Sequence, residues 1–439
     1  MGRWFSCVWL LSVLVCLPVQ AADDSRHFPL LVHNDLMLFA PGAPLGQSAG
    51  EQAVIVGTVV QPEVRVESNA GSAGQAGTAA QSGALTGNPP QVEFPVAPPA
   101  ATRLVLLLPT RSPSLRHAAE AVLKGFTEAA ERDKDARLNV SVIETGDDAD
   151  DVLSAYQAAE AQADIIVGPL TRSGVAVIAQ RAKVNKPTVA LAHVEPGADS
   201  DIRLPAKMLA IGLSLEQEAR QLAQQAFEQG LVGRAYIVAS GAAWQRRAAN
   251  AFAAQWRQLR QTSDNINIAS SGQWLDIKGL QALKRRLESE EPALIFVALD
   301  AQQAGQVREA TGGQVPMLGT SQLNPLPAGD WPDANRRPEL DGVQLVDMPW
   351  VLQDDHPAVM AYRSGPAPSR RSVDLERLLA LGIDAWRVAR ELTAGKSSFD
   401  IDGVTGRLKI DVNADQNRFE RIASPGVYRD GVVVVAERP

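Results

Sequence analysis

The sequence predicts an α/β protein with two Rossmann-like lobes, each built around a parallel β-sheet. From about residue 103 onward, short apolar runs alternate with segments whose apolar residues recur at helical spacing. Repeated strand–helix units of this kind form parallel sheets with helices on both faces. The units fall into two series of about five strands, and each series has the size of an ordinary domain.

The first series begins with residues 104–108, a continuous run of leucine and valine typical of a strand buried on both faces. A helical stripe from Leu115 to Ala129 follows, and Ser112 and Pro113 suit the cap and the first position of that helix. Further strands are predicted at residues 138–143, 164–167, 188–192 and 208–213, with helices at 149–161 and 173–183.

The second series begins with a helix from Glu216 to about Gln229. Strands are predicted at residues 235–239, 266–270, 293–299 and 315–318, and helices at 244–259, 277–287 and 301–311. After residues 343–346 we expect the chain to return to the first lobe with a buried helix at 375–392, apolar almost all round, and short strands at 407–410 and 432–435. We therefore assign residues 102–215 and 349–439 to the first lobe, and 216–348 to the second.

Residues 1–21 have the features of a signal peptide. Arg3 is followed by an apolar stretch at residues 4–17, and small residues precede a cleavage site after Ala21. Both cysteines, Cys7 and Cys16, lie in this segment, so the mature chain is expected to have no disulfide, catalytic thiolate or cysteine metal site. The bulky Val15 before Cys16 disfavours lipidation there, which would turn a soluble protein into an anchored one.

Two segments separate the signal peptide from the lobes. Residues 22–66 include apolar stretches without a clear period, so their order is left open. Residues 67–101 are rich in Gly, Ala and Ser, a composition that buries too little apolar surface to offset the entropy of ordering. We therefore predict a flexible linker between the N-terminal segment and the two lobes.

Several segments of the α/β region carry a family resemblance. The most specific are the helix at 378–386, which ends in Gly-Ile-Asp-Ala-Trp, the Thr-Gly-Arg-Leu strand at 405–408, and Asn417-Arg418. Residues 166–170, 211–220 and 341–349 precede them. In this order the segments resemble the C-terminal domain of the LpoA/LppC-type penicillin-binding protein activators, within the type I periplasmic binding protein fold. The resemblance covers roughly residues 103–439, and the fold implies hinge crossovers near residues 213–216 and 348–352.

This resemblance implies an outer-membrane-linked protein that binds a bifunctional class A penicillin-binding protein and stimulates peptidoglycan synthesis. The chain departs from the family pattern in two respects. Residues 22–101 show no helical repeat domain of the kind that precedes this region in longer members, and the lipidation site is unconvincing. These departures concern the anchoring of the protein and its reach toward an inner-membrane synthase.

Composition and motifs exclude several other function classes. The formal charge of −8 argues against a nucleic-acid partner, and no stretch after the N-terminus is long and apolar enough to span a bilayer. The five histidines form no metal-binding pair, and no phosphate loop, dinucleotide fingerprint or nucleophile elbow is present. The acidic run at 147–151 is explained by a helix N-terminus. We therefore predict no catalytic residues, no metal and no cofactor.

A small-molecule site, if the protein has one, would lie between the lobes, beyond the carboxyl ends of the strands. Hydroxyl groups and arginines there would suit a carboxylate, and a tryptophan could cover an apolar group. The candidates are Arg111, Ser112, Thr171, Arg172, His193, Trp244, Asp300 and Thr320. Helix capping would select hydroxyl residues at the same positions, so this alternative stands beside the ligand site.

Two functions follow from these observations. The first is a periplasmic, non-enzymatic regulator that acts on the synthase by protein–protein contact and presents an exposed apolar or aromatic patch. The second is a periplasmic solute-binding protein for an amino acid or similar metabolite, with an open cleft that gains thermal stability on binding its ligand. Whether the cleft between the two lobes is open or closed distinguishes these two functions.

Overall fold

The computed structural model describes residues 101–135, 137–194, 202–326, 335–363, 372–413 and 417–436. The predictions of a signal peptide, an N-terminal segment and a linker concern residues that, apart from residue 101, lie outside these ranges. Within the described ranges, no helix combines the length and the apolar character needed to cross a membrane.

The first part of the chain forms one parallel sheet with flanking helices. Its elements are β1 (Thr102–Leu108), α1 (Arg116–Asp133), β2 (Leu138–Glu144), α2 (Ala149–Gln162), β3 (Ile165–Val167), α3 (Arg172–Arg181), β4 (Thr188–Ala190) and β5 (Met208–Ala210). The strand order is β2-β1-β3-β4-β5, and all pairs are parallel. Residues 104–108 of β1 are fully buried, as the apolar run predicts.

The second part repeats this plan. Its elements are α4 (Leu215–Glu228), β6 (Arg234–Ala239), α5 (Ala243–Gln258), β7 (Thr262–Asn267), the hairpin β8 (Ser270–Ser271) and β9 (Trp274–Leu275), α6 (Ile277–Ser289), β10 (Leu294–Ala298), α7 (Ala301–Thr311), β11 (Met317–Gly319) and β12 (Gln344–Asp347). Strands β7, β6, β10, β11 and β12 are neighbours in that order and pair in parallel. The predicted α/β architecture with two parallel sheets is confirmed.

The remaining residues contribute to both lobes. They form α8 (Pro349–Leu352), α9 (Pro357–Tyr362), α10 (Val373–Thr393), β13 (Ser398–Asp402), β14 (Arg407–Val412), β15 (Asn417–Ile422), β16 (Ser424–Arg429) and β17 (Val432–Val435). Helix α10 and the antiparallel sheet β13-β14-β15 share one apolar core with β1 and α1. They therefore share the core of the first lobe.

The C-terminal hairpin corrects the predicted boundary. Strand β16 pairs antiparallel with β12, and β17 pairs with β16, so both strands extend the second sheet to seven strands. The sequence predicts that residues 349–439 all belong to the first lobe. The hairpin joins the second sheet because the outer edge of β12 would otherwise have unpaired backbone groups. Pairing with the apolar hairpin satisfies those groups. The apolar pattern of the hairpin alone does not specify which sheet it joins.

Helices α1 and α10 cross with their backbones in direct contact. A Cβ atom placed on Gly125 would lie 1.9 Å from the carbonyl oxygen of Leu379, and one on Gly382 would lie 2.1 Å from that of Val122. Trp386 lies beside this crossing, edge-on to Phe126 at 5.5 Å between ring centroids. Glycine at both positions therefore sets the distance between the two helices on which the first lobe's core is built.

We expect the substitution Gly382→Ala to lower the free energy of unfolding by about 1–3 kcal/mol, because the added methyl group would force the two helices apart. Gly241→Ala is the matched control, since a Cβ atom there meets nothing within 4 Å. Urea unfolding of both variants checks the prediction. Equal midpoints for the two variants would contradict the close crossing.

Candidate functional site

The chain passes between the lobes three times within the described residues. These crossings follow β5, β12 and β15, at residues 211–214, 347–349 and 422–424. The first two agree with the predicted hinge crossovers, and the third is a consequence of the C-terminal hairpin. We call the region formed by these crossings and the side chains between them the junction. It is the place where this architecture would hold a ligand.

Four of the eight predicted site residues have structural roles inside one lobe. The Thr171 hydroxyl accepts a hydrogen bond from the Gly174 amide and caps α3, and Asp300 caps α7 in the same way. Trp244 is packed in the core of the second lobe. Ser112 is buried and donates to Asp147 at 3.0 Å; it is not the cap of α1, which begins four residues later.

The acidic run at 147–151 is a helix N-terminus, as predicted. The Asp148 carboxylate accepts hydrogen bonds from the amides of Asp150 and Asp151 and caps α2. Arg111, another candidate, pairs with Asp151 at 2.6 Å on the half-exposed surface of the first lobe. No group of histidine and carboxylate side chains in the described ranges is arranged to hold a metal ion.

Arg172, by contrast, connects the two lobes. Its guanidinium lies 3.1 Å from the carboxylate of Glu216 on α4, and Arg247 on α5 approaches the other oxygen of the same carboxylate at 2.8 Å. Glu216 is 4% exposed. Burial alone would raise the pKa of Glu216, but the two arginines outweigh it and the pKa is lowered. The carboxylate is therefore ionised and bridges a cation from each lobe.

His193 and Thr320 lie at the junction without such partners. The His193 Nε2 atom and the Thr320 hydroxyl are buried and have no hydrogen-bond partner among the described residues. Burial, followed by the charges of Arg421 and Arg172, lowers the pKa of His193 to about 3, so the imidazole is neutral at neutral pH. Its ring lies 5.8 Å from that of Phe419. His193 is therefore an uncharged side chain that lines the junction.

A second ion pair between the lobes involves Arg377, which the sequence analysis did not select. Arg377 on α10 lies 2.7 Å from Asp347 at the end of β12, and it donates to the carbonyls of Ser321 and Asn324 at 2.9 and 3.0 Å. Both partners are buried, with 6% and 1% of their surfaces exposed. Burial lowers the pKa of the guanidinium, but Asp347 outweighs it and the pKa is raised. The available signal in the sequence was a cation next to the apolar run Leu378–Leu381 of a helix predicted to be buried.

Glu218 stands next to this pair. Its carboxylate accepts hydrogen bonds from the Ser321 amide at 2.8 Å and the Ser321 hydroxyl at 3.1 Å. Burial and the neighbouring charge of Asp347 raise the pKa of Glu218 to about 7. The junction therefore contains a carboxyl group that changes its charge near neutral pH.

The segments that carried the family resemblance meet at the third crossing. Asp384, from the Gly-Ile-Asp-Ala-Trp helix, accepts hydrogen bonds from the Val404 amide at 3.1 Å and from the Thr405 amide and hydroxyl at 2.8 and 2.6 Å. Arg421 donates to the same hydroxyl and to the carbonyls of Ile211 and Gly212 at 2.6 and 2.7 Å. These residues tie the third crossing to the first, so the motif residues help to hold the junction together.

Little space remains between these side chains. A cavity beside α4 has a volume of about 20 Å³, enough for about one water molecule. It is lined by Leu213, Ser214, Gln217, Glu218, Gln221, Met348, Thr405, Arg421 and Ala423. None of the eight predicted site residues lines it. The junction is thus held closed by ion pairs and hydrogen bonds.

These features define a two-lobed α/β protein of the type I periplasmic-binding-protein class whose facing lobe surfaces are bonded to each other. Residues 96–424 match the family model described as "LppC putative lipoprotein". The chain belongs to the LppC family.

Curated relatives carry a common name. The chain is 26% identical over 338 residues to the penicillin-binding protein activator LpoA of Haemophilus ducreyi strain 35000HP, covering 75% of this chain and 54% of that protein. It is 27% identical over 342 residues to the protein of the same name from Glaesserella parasuis serovar 5, covering 76% and 54%. The chain therefore spans about half the length of these curated relatives.

Solved structures confirm the fold. The LpoA C-domain from Haemophilus influenzae, a regulator of PBP1A, is 20% identical with a TM-score of 0.60, covering 76% of this chain and all of that one. A structure from Chromobacterium violaceum, described as a "putative branched-chain amino acid ABC transporter", is 33% identical with a TM-score of 0.59, covering 74% of this chain and all of that one.

The substitution Arg377→Met should lower the free energy of unfolding by about 3–5 kcal/mol, because it leaves the buried Asp347 carboxylate without its cation. Arg407→Met is the matched control: its pair with Asp400 is exposed, with 62% and 50% of the two side-chain surfaces accessible, and should contribute less than about 1 kcal/mol. Denaturant titrations measure both. A cost for Arg377→Met as small as that of the control would show that this ion pair does not hold the lobes together.

Glu218 gives the protein a predicted pH dependence. Because the pKa of Glu218 is raised to about 7 from its usual 4.5, the folded protein binds this proton more tightly than the unfolded chain. The resulting stability is complete below about pH 4.5 and is lost as the pH rises through about 7.

Glu218→Gln should therefore unfold at a higher temperature than the wild type at pH 8, with the difference shrinking toward pH 4. Glu228→Gln, an exposed site on the same helix, is the control. Melting temperatures measured across this range test the prediction. A difference that is constant with pH would contradict the titration of Glu218.

Proposed function

We propose that this chain is a non-enzymatic regulator of the bacterial envelope that stimulates a class A penicillin-binding protein by protein–protein contact. Membership of the LppC family supports the proposal, as do curated relatives that are named penicillin-binding protein activators. Because the chain spans about half of those relatives, the activity is proposed for the two lobes together with whatever residues 22–101 contribute.

One structural observation carries the proposal: the lobes are bonded to each other where a ligand would lie. Glu216 joins Arg172 of one lobe to Arg247 of the other, and Asp347 pairs with Arg377 across the same gap. A solute would have to break these pairs in order to enter, and each buried charge left alone is costly. A closed junction leaves the outer surface as the place for recognition.

The location of the protein follows from the same proposal. A regulator of peptidoglycan synthesis acts in the periplasm, which fits export by a signal peptide at residues 1–21. Lipidation at Cys16, or a partner that is itself anchored, would associate the protein with the outer membrane.

Solute binding is the second candidate, because the 33% identical structure from Chromobacterium violaceum carries the name of an amino-acid transporter. Arg172 and Arg247 would then exchange Glu216 for a ligand carboxylate. This function predicts that branched-chain amino acids at millimolar concentration raise the melting temperature. An unchanged melting temperature across the twenty amino acids would exclude it for this class of solute.

The activator function predicts saturable binding of the mature chain to the class A penicillin-binding protein of the same organism, with faster glycan polymerisation at saturation. A titration with lipid II as substrate measures both quantities. A monofunctional class B enzyme is the control and should neither bind nor respond. Absence of binding to the class A enzyme at tens of micromolar would overturn the proposal.

A further inference from the structure

The second lobe carries an exposed aromatic–aliphatic pair. Among the described residues, Trp274 and Ile277 are the most exposed large apolar side chains, at 65% and 69% of their surfaces. They are three residues apart, on β9 and on the first turn of α6. Leu275 between them is buried at 4%, so the strand alternates and directs Trp274 outward. Exposed tryptophan is costly in water and is enriched at protein interfaces.

Hydrogen bonds hold in place the backbone that carries Trp274 and Ile277. The two-residue turn of the β8–β9 hairpin has Gly272 at its first central position with φ of +60°, which glycine adopts without strain. The Leu275 amide donates to Gln306 on α7 at 2.9 Å, and Gln306 donates in turn to the Gln273 carbonyl at 2.8 Å. Asp276 caps α6 through the Gly279 amide. A surface held in this way loses little conformational entropy on binding.

Positive charge borders the pair on one side. Helix α6 carries Lys278, Lys284, Arg285 and Arg286 and one carboxylate, Glu288, and three further carboxylates, Asp276, Glu290 and Glu291, flank the helix. Arg286 is paired with Asp264 and Glu290. Lys278, Lys284 and Arg285 are exposed and form no ion pair with any described residue. Ile277 and Lys284 share one helical face at a spacing of seven.

We propose that Trp274, Ile277, Lys278, Lys284 and Arg285, together called the α6 patch, dock onto an acidic face of the penicillin-binding protein that offers an apolar pocket for the indole. The inference rests on the proposed function and names the surface that would perform it. Trp274 inserts as the anchor, and the three cations align the two proteins by attraction to carboxylates around the pocket. The acidic remainder of the chain is repelled by such a face, which makes the orientation specific.

A folded protein fits this patch better than other anionic partners. Two apolar side chains bury too little surface to hold a protein on a membrane, and three cations add only about 1 kcal/mol each at an anionic bilayer. A peptidoglycan strand offers carboxylates, but it does not enclose an indole and an isoleucine together. Both alternatives are included as arms of the test.

The test uses the full mature chain, with surface-immobilised class A enzyme as the binding partner. Trp274→Ala should raise the dissociation constant about 30-fold, as loss of an interface anchor does. The double variant Lys284→Glu and Arg285→Glu should slow association and reduce its dependence on salt. Met360→Ala, 57% exposed on α9, and Lys183→Glu are matched controls on the first lobe and should bind as the wild type does.

Thermal unfolding of each variant establishes that the fold is intact, since all five patch side chains are exposed. If the wild type binds and Trp274→Ala binds equally well, the α6 patch is not the docking surface, although the activator function stands. If the wild type itself does not bind, the activator function and this inference both fall. Loss of binding by Trp274→Ala to anionic phospholipid vesicles or to purified sacculi, but not to the enzyme, would also overturn the inference.

Discussion

The Arg377–Asp347 ion pair is the constraint on which the arrangement of the two lobes depends. Asp347 ends the last parallel strand of the second sheet, and Arg377 projects from the central helix of the first lobe. Removing two charges from water costs several kcal/mol for each ion, so the pair is tolerated only when every remaining hydrogen-bonding group is satisfied. The carbonyls of Ser321 and Asn324 and the Asp374 carboxylate accept from the guanidinium, and the Asn324 side chain and the Met348 amide donate to Asp347. Opening the lobes would break the ion pair and the two carbonyl bonds together.

The same reasoning applies to Asp384 of the recognised motif. Asp384 lies on α10, whose buried side chains are mostly apolar, and its carboxylate accepts hydrogen bonds from the backbone of a turn and from the Thr405 hydroxyl. Arg421 continues this network to the first crossing. The motif residues therefore contribute to the geometry of the junction.

The order and type of most strands and helices could be predicted from the sequence because buried strands and amphipathic helices leave local patterns. The junction could not, because its partners are distant along the chain: Arg377 and Asp347 are 30 residues apart, and Arg172 and Glu216 are 44 apart. Of the eight candidates, Arg172 forms a bond across the junction, while Thr171 and Asp300 are helix caps. Capping and ligand binding select the same residue types at the same strand ends, so sequence alone could not separate them.

The third crossing at residues 422–424 changes the mechanics of the molecule. With two connections alone, the lobes could rotate and twist relative to each other about the connecting segments. The third connection is bonded to the first through Arg421. Two hydrogen bonds between Gln221 and Ala423 also join it to α4, so twisting would have to break these bonds. Relative rotation of the lobes would therefore have to break the hydrogen bonds of Arg421 and Gln221 together with the two ion pairs between the lobes.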